Sequence, residues 1–279
     1  RRILACVQVE RTSRYWGRYR DETWFLEGDE LALALVGHPR VFWAEDPATR
    51  VEVLEGRPQL LVQRAPGEEQ GGAGAFSLVF VPALSSERGV VVVEESPTRL
   101  SVISLDSMQL RIAAALRRPL TAPLSAEAQI REAVAALAPH VTVQSELGGA
   151  VADAEVVQAP TTLSLQLAPR GEGLVARVAV RPLGDEGPLF VPGVGAPQVL
   201  GEIDGPRAGE RRRVQVQRDL LAEGRLVEEL IASCPLLQGL PEELYLDDTE
   251  ACLELLVALA ALPEDRAPVV EWPEGETMR

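Results

Sequence analysis

Two runs alternate apolar and polar residues without a break, Thr162-Leu-Ser-Leu-Gln-Leu167 and Arg213-Val-Gln-Val-Gln217. A period of two sends successive side chains to opposite faces, so each run can bury one face only as a β-strand. Both sit beside a turn and a second apolar run. Pro169-Arg-Gly-Glu-Gly173 joins 162–167 to 174–181 as a hairpin, and Asp204-Gly205 lies in the connection between 198–203 and 213–217. Antiparallel hairpins must therefore make up much of the second half of the chain.

Helical signals stand beside these strands. Asp106 with Gln109 three residues later writes a capping box, and Leu105 and Leu110 occupy the positions of a hydrophobic staple. Ser125 is placed to cap a helix over 125–138 with Ile130, Val134 and Leu137 on one face, stopped by Pro139. Asp219 opens a helix to residue 234 that buries Val227, Leu230, Ile231 and Cys234 before Pro235. Asp247, with Glu250 as capping partner, opens the last one, over 247–262 before Pro263. Nearer the start, 3–9 reads as a strand and Gly28-Asp29 leads into a short helix near 29–36. Gly37-His38-Pro39 ends it, with Gly as the left-handed cap. Runs at 51–54, 60–63, 76–81, 90–94 and 100–104 read as one antiparallel meander, with a glycine-rich loop at 65–75.

The expected fold class is α+β, antiparallel sheets with a few short packed helices in two subdomains. The proline-marked stretch 117–123 separates them. Residues 1–118 form a β-rich subdomain with helices near 29–36 and 106–117. Residues 119–279 carry the hairpins 162–181 and 198–217 and the helices near 125–138, 219–234 and 247–262. No repeat of solenoid period is present.

At 46% hydrophobic and 25% charged residues, the chain has ample material for a core. All 27 basic residues are Arg. Without a lysine there can be no P-loop within these residues, no kinase-type lysine and no Schiff-base chemistry. Cys6, Cys234 and Cys252 are widely spaced and read as free thiols in a reducing cytoplasm. The apolar stretch 253–262 is too short and too amphipathic to span a bilayer. His38 and His140 lie far apart, each near a Pro at a helix end, and read as structural rather than zinc-ligating. Asp247, Asp248 and Glu250 read as helix-capping acids rather than a cation site. Gly193-Val-Gly195 and Gly72-Ala-Gly74 are loops, not dinucleotide fingerprints. No catalytic residue, metal ligand or cofactor site is expected.

Two features could bind a partner. The net charge is −15, yet the first twenty residues hold six Arg against Glu10 alone. Within them Arg11, Arg14, Tyr15, Trp16, Arg18, Tyr19 and Arg20 interleave cations with aromatics, the composition of a surface that tracks phosphates and stacks bases. An amphipathic strand pair with its aromatics in the core would have the same composition. Arg207, Arg211, Arg212 and Arg213, with Arg218 beyond, make a basic hairpin. It reads as a docking patch, a solvated turn or a salt-bridged contact with an acidic neighbour.

From Leu31 onward, ordered stretches carry a family likeness. They are Leu33-Ala-Leu-Val-Gly-His-Pro-Arg-Val-Phe42, Ala128-Gln-Ile-Arg-Glu-Ala-Val-Ala-Ala-Leu-Ala-Pro-His-Val-Thr-Val143 and Leu165-Gln-Leu-Ala-Pro-Arg-Gly-Glu-Gly-Leu174. Val180-Arg-Pro-Leu183, Pro192-Gly193, Arg218-Asp-Leu and the tail from Leu246-Asp-Asp to Trp272-Pro-Glu-Gly follow. In this order the segment resembles the region upstream of the ATPase core in large bacterial Swi/Snf-type DEAD/DEAH-box helicases. The resemblance implies a following two-lobed motor that tracks along double-stranded nucleic acid. It implies for these residues an accessory role, regulating the motor or gripping its substrate, with that ATPase core as partner. No family catalytic residue carries over, because the nucleotide-binding motifs would lie beyond Arg279. An initial Arg1 and a tail that stops soon after 269–271 also fit a piece of a longer chain. The alternative is a stand-alone acidic adaptor module. A hydrolase with a spatially assembled site is a third reading.

Overall fold

The computed structural model describes residues 7–11, 22–26, 28–44, 50–65, 74–84, 89–96, 98–151, 154–184, 187–204, 211–241, 243–263 and 266–272. The fold is α+β. Contacts divide the chain into two compact units, Arg1–Gly56 with Glu87–Leu105, and Arg57–Ser86 with Asp106–Arg279. The division expected near residue 120 falls inside the second unit. Leu120–Pro123 is a strand there, paired antiparallel with Ala75–Val81.

In the first unit, Val7–Arg11 pairs antiparallel with Glu22–Leu26. A three-stranded sheet runs Glu52–Gly56, Arg99–Ser104, Val90–Ser96, parallel across the first pair and antiparallel across the second. The helix Gly28–Leu35 contributes Ala32 to a small core with Val51, Val53 and Val102. Gly37 ends that helix in the left-handed region at φ 68°, and its N–H donates to the Val53 carbonyl at 2.8 Å. Glu52 accepts from Nε and Nη2 of Arg99, whose side chain is only 7% exposed.

The single meander expected over 51–104 does not form. Glu52–Gly56 stays in the first unit, whereas Gln59–Ala65 and Ala75–Val81 join the second. Alternation fixes which face of a strand is buried but not which strand it pairs with. Leu60 and Val62 find their burial beside Val143, on the parallel neighbour Thr142–Ser145.

The second unit holds a seven-stranded mixed sheet. Its order is Glu155–Gln158, Arg211–Gln217, Gln198–Asp204, Thr142–Ser145, Gln59–Ala65, Ala75–Val81, Leu120–Pro123. A four-stranded sheet runs Leu244–Leu246, Gly173–Ala179, Ser164–Arg170, Val269–Glu271. Both expected hairpins are present, with Arg170 opposite Gly173 and Gln198 opposite Gln217. The inward faces of the two sheets share one core, with Leu165, Leu167, Ala176, Val199, Val214, Val216, Leu237 and Leu255 at 0–1% exposure. Each fully buried Leu there contributes about 1.5–3 kcal/mol of transfer free energy.

The helices follow their caps. Asp106 accepts from the N–H groups of Met108 and Gln109 at 2.8 Å, and its own N–H donates to Gln109 Oε1 at 2.9 Å, so the capping box closes. Asp219 accepts from Ala222 N–H at 2.9 Å at the head of Leu220–Ser233. Ile231 on that helix is half-buried rather than buried. Two caps differ from expectation. Ser125 lies within a 3-10 turn, Leu124–Ala126, and the helix Glu127–Leu137 has no side-chain cap. The final helix, Thr249–Ala260, is capped by Asp248 through Ala251 N–H at 2.7 Å, one residue later than expected. Of the two adjacent acids, Asp248 has the extended backbone a cap needs, and Asp247 lies 3.8 Å from Arg170 instead. Among the described residues, no helix is long and apolar enough to cross a membrane.

Candidate functional site

Most of the aromatic and basic segment near the start lies outside the described residues: Arg14, Tyr15, Trp16, Arg18, Tyr19 and Arg20. Arg11 ends the strand Val7–Arg11, opposite Glu22. Arg207 of the basic hairpin also lies outside. Its neighbours Arg211 and Arg212 are exposed and Arg213 is half-buried. Across the strand pair, Arg211 is opposite Asp204 and Arg213 is opposite Glu202. Arg212 donates to Glu155 on the other flanking strand at 2.9 Å. Glu155 on one neighbouring strand thus offsets part of the hairpin's positive charge.

The two histidines fall in different units. His38 Nδ1 accepts from the Arg40 N–H at 3.2 Å, and the His140 carbonyl accepts from Gln109 Nε2 at 2.8 Å. His140 borders a shallow cleft with Arg57, Gln109, Thr142 and Glu202. Among the described residues, no group of three or more His, Cys, Asp or Glu is placed to hold a metal ion.

The most fully built polar arrangement joins residues whose spacing in the sequence gives no sign that they meet. Arg218 immediately precedes the cap Asp219, and Glu223 lies in the first turn of the helix that follows. Their side chains are 0% and 2% exposed. Arg218 donates from Nε to Glu223 Oε1 at 3.0 Å and from Nη2 to Oε2 at 2.6 Å. Its remaining reach goes to the loop before it. Nη1 donates to the Val194 carbonyl and Nη2 to the Val191 carbonyl, both at 3.0 Å. Glu223 Oε2 also accepts the Gly193 N–H at 2.9 Å, and the guanidinium stacks 5.1 Å from the Phe190 ring centroid.

A bidentate pair is the geometry in which a buried arginine and carboxylate best satisfy each other. Here it clamps the 191–195 loop onto the helix start. Gly193 and Gly195 adopt φ 72° and 96°, which suits glycine, and the clamp holds them there. With its donors committed, the pair suits holding a loop rather than reacting with a ligand. An arginine just before an N-cap, a glutamate in the first turn and the separate family-like stretches Pro192-Gly193 and Arg218-Asp-Leu were its sequence signals, and none of them pairs the residues.

The outward face of the four-stranded sheet carries a second polar constellation. Tyr245 donates to Glu243 Oε2 at 2.6 Å, Glu243 Oε1 pairs with Arg177 Nη2, and Arg170 lies 4.6 Å over the Tyr245 ring. Burial, then the hydrogen bond to Glu243 and its charge, push the Tyr245 phenol up to about 12, against the opposing effect of Arg170 and Arg177. Glu271 accepts from Ser164 Oγ at 2.5 Å, Gln166 Nε2 at 3.1 Å, and Arg181 Nε and Nη2 at 3.2 and 2.7 Å. Burial would raise this carboxyl. The four hydrogen bonds and the Arg181 charge outweigh burial and bring it down to about 2.

Two titrations follow from these shifts. The chain has three tyrosines. In an alkaline titration followed by tyrosinate absorbance, Tyr245 should ionise last, and Glu243→Gln should bring that phase to lower pH. For Glu271 the folded value lies below the ordinary 4.5. Its stabilisation is therefore complete above about pH 5 and drains as pH falls from about 4.5 toward about 2. Denaturation midpoints measured across that range should fall more steeply for the native sequence than for Glu271→Gln.

Cys234 and Cys252 are buried free thiols, and burial raises both. Among the described residues, neither has a histidine or arginine partner of the kind that makes a reactive thiolate. No family model, curated protein or solved structure matches this chain.

Proposed function

We propose that this chain is a non-catalytic accessory region of a cytoplasmic, Swi/Snf-type ATP-dependent nucleic-acid translocase, working with the ATPase core of the same parent chain. The observation that carries the proposal is the ordered run of family-like stretches from Leu33 to Trp272. The way these stretches are used adds weight. Pro192-Gly193 and Arg218-Asp-Leu are far apart in sequence and meet in one buried clamp. Leu165–Leu174 builds a central hairpin, and the tail is an edge strand beside it. A pattern spent on framework is what an accessory domain of a common fold would retain.

The test has two parts. Residues 1–279 alone should turn over no ATP, and turnover would overturn the proposal. Anisotropy titration with double-stranded DNA should show binding whose log–log salt slope is about −0.9 per phosphate contact. Replacing Arg11, Arg14, Arg18 and Arg20 together with Ala should abolish that binding if this segment grips the substrate.

The second reading, a stand-alone acidic adaptor, is favoured by one observation. Leu253 and Val257, one turn apart on Thr249–Ala260, are 54% and 69% exposed, an apolar stripe suited to a partner. A natural gene that stops near residue 279 would favour the adaptor over the accessory region.

A further inference from the structure

The Val269–Glu271 strand is attached to its sheet in an unusual way. It is three residues long and pairs parallel with Ser164–Arg170, Ser164 opposite Val269 and Gln166 opposite Glu271. Parallel pairing is slightly weaker per residue than antiparallel pairing, and three residues provide few ladder bonds. Little apolar burial compensates, because Val269 and Val270 are 51% and 38% exposed. Val269 N–H donates to the Leu163 carbonyl at 2.9 Å, and Trp272 packs at the margin of the core.

What holds the strand is concentrated on one side chain. The Glu271 carboxylate accepts from Ser164 and Gln166 on the paired strand and twice from Arg181, two residues past the end of Gly173–Ala179. The neighbouring hairpin is different in kind. Ser164–Arg170 and Gly173–Ala179 exchange seven residue pairs, with Leu165, Leu167, Ala176 and Val178 at 0–1% exposure.

We infer that Val269–Glu271 is a releasable strap with Glu271 as its lock. When it lifts, it uncovers a sheet edge that accepts an extended peptide carrying a carboxylate opposite Gln166 and an aromatic residue next in sequence. Recognition is by strand addition. Main-chain bonds supply the attachment and the Ser164, Gln166 and Arg181 side chains select the acid. The inference stands on the sheet geometry and is independent of the proposed accessory role.

Two measurements on the full 279-residue chain test it. In native hydrogen exchange, the amides of Val269 and Glu271, which face Ser164–Arg170, should exchange at least about 100-fold faster than those of Gln166 and Arg177, which face each other across the hairpin, as expected for local opening. Equal rates would mean that the strand leaves only with global unfolding, and would overturn the inference. In the second, a fluorescent peptide of residues 266–272 is titrated into native protein and into Glu271→Ala. The native protein, its edge occupied, should bind no peptide, whereas the variant should bind it. A peptide with Ala in place of Glu271 should bind the variant about tenfold more weakly, the loss expected for a charge-assisted contact. A folded variant that binds neither peptide, or both alike, would overturn the inference. If Glu271→Ala does not fold, the exchange rates of the native chain decide the question.

Discussion

Glu223→Ala is expected to lower the unfolding free energy by about 3–5 kcal/mol, because it leaves an unpaired guanidinium at a site closed to solvent. Arg218 is 0% exposed, and among the described residues Glu223 is the acid it pairs with. Arg218→Ala should cost a similar amount, leaving a buried carboxylate with the Gly193 N–H as its remaining donor. The effect is the cost of breaking the pair, not its net worth. Replacing both partners, Arg218→Met with Glu223→Leu, should recover much of the loss, since an apolar pair of similar volume avoids the desolvation cost. Urea unfolding of the two single variants and the double variant measures all three quantities. If the single changes cost below about 1 kcal/mol, as surface pairs do, the clamp does not act as a buried unit.

Gly173→Ala is expected to cost about 3 kcal/mol, the upper end of the range for an overpacked site. A Cβ on Gly173 would lie 1.9 Å from the Leu246 carbonyl oxygen and 2.9 Å from its carbon. These are backbone atoms of the paired strand Leu244–Leu246, so no rotamer change relieves the clash. The next residues would move with it. Asp248 caps Thr249–Ala260, and Thr249 Oγ1 donates to the Glu172 carbonyl at 3.2 Å. The variant should therefore lose exchange protection in both Leu244–Leu246 and the first turn of the helix. Gly171, two residues away, supplies the control. Its φ is 58° and nothing lies within 4 Å of the place a methyl group would take, so Ala there should cost only the left-handed backbone penalty of about 1–2 kcal/mol.

The elements legible in the sequence were those set by local chemistry. The alternation in 162–167 and 213–217, the Asp106–Gln109 box and the Asp219 cap each depend on residues within a few positions of one another. The Asp247–Asp248 choice was not legible, because adjacent acids offer the same oxygen and the extended backbone that selects Asp248 is set by the fold. Pairing partners were not legible either. The valines of 51–54 and 60–63 look alike, yet they serve different units because partners at 99–104 and 142–145 lie far along the chain.

The clamp illustrates the same limit at the level of the site. In the sequence Arg218 is one more cation beyond a basic hairpin, and Gly193-Val-Gly195 is a bare loop. Only the fold brings them to hydrogen-bonding distance. The Glu271 lock was hidden for the same reason, since its donors Ser164, Gln166 and Arg181 come from about a hundred residues earlier. Local spacing cannot report contacts of that range.

The measurement that bears most directly on the proposed role is nucleic-acid-stimulated ATP hydrolysis by the parent chain, with and without residues 1–279. The remaining core is expected to hydrolyse ATP alone, while its stimulation by double-stranded DNA or its translocation changes several-fold. A parent without an ATPase core, or a core whose stimulation and translocation are the same with these residues removed, would contradict it.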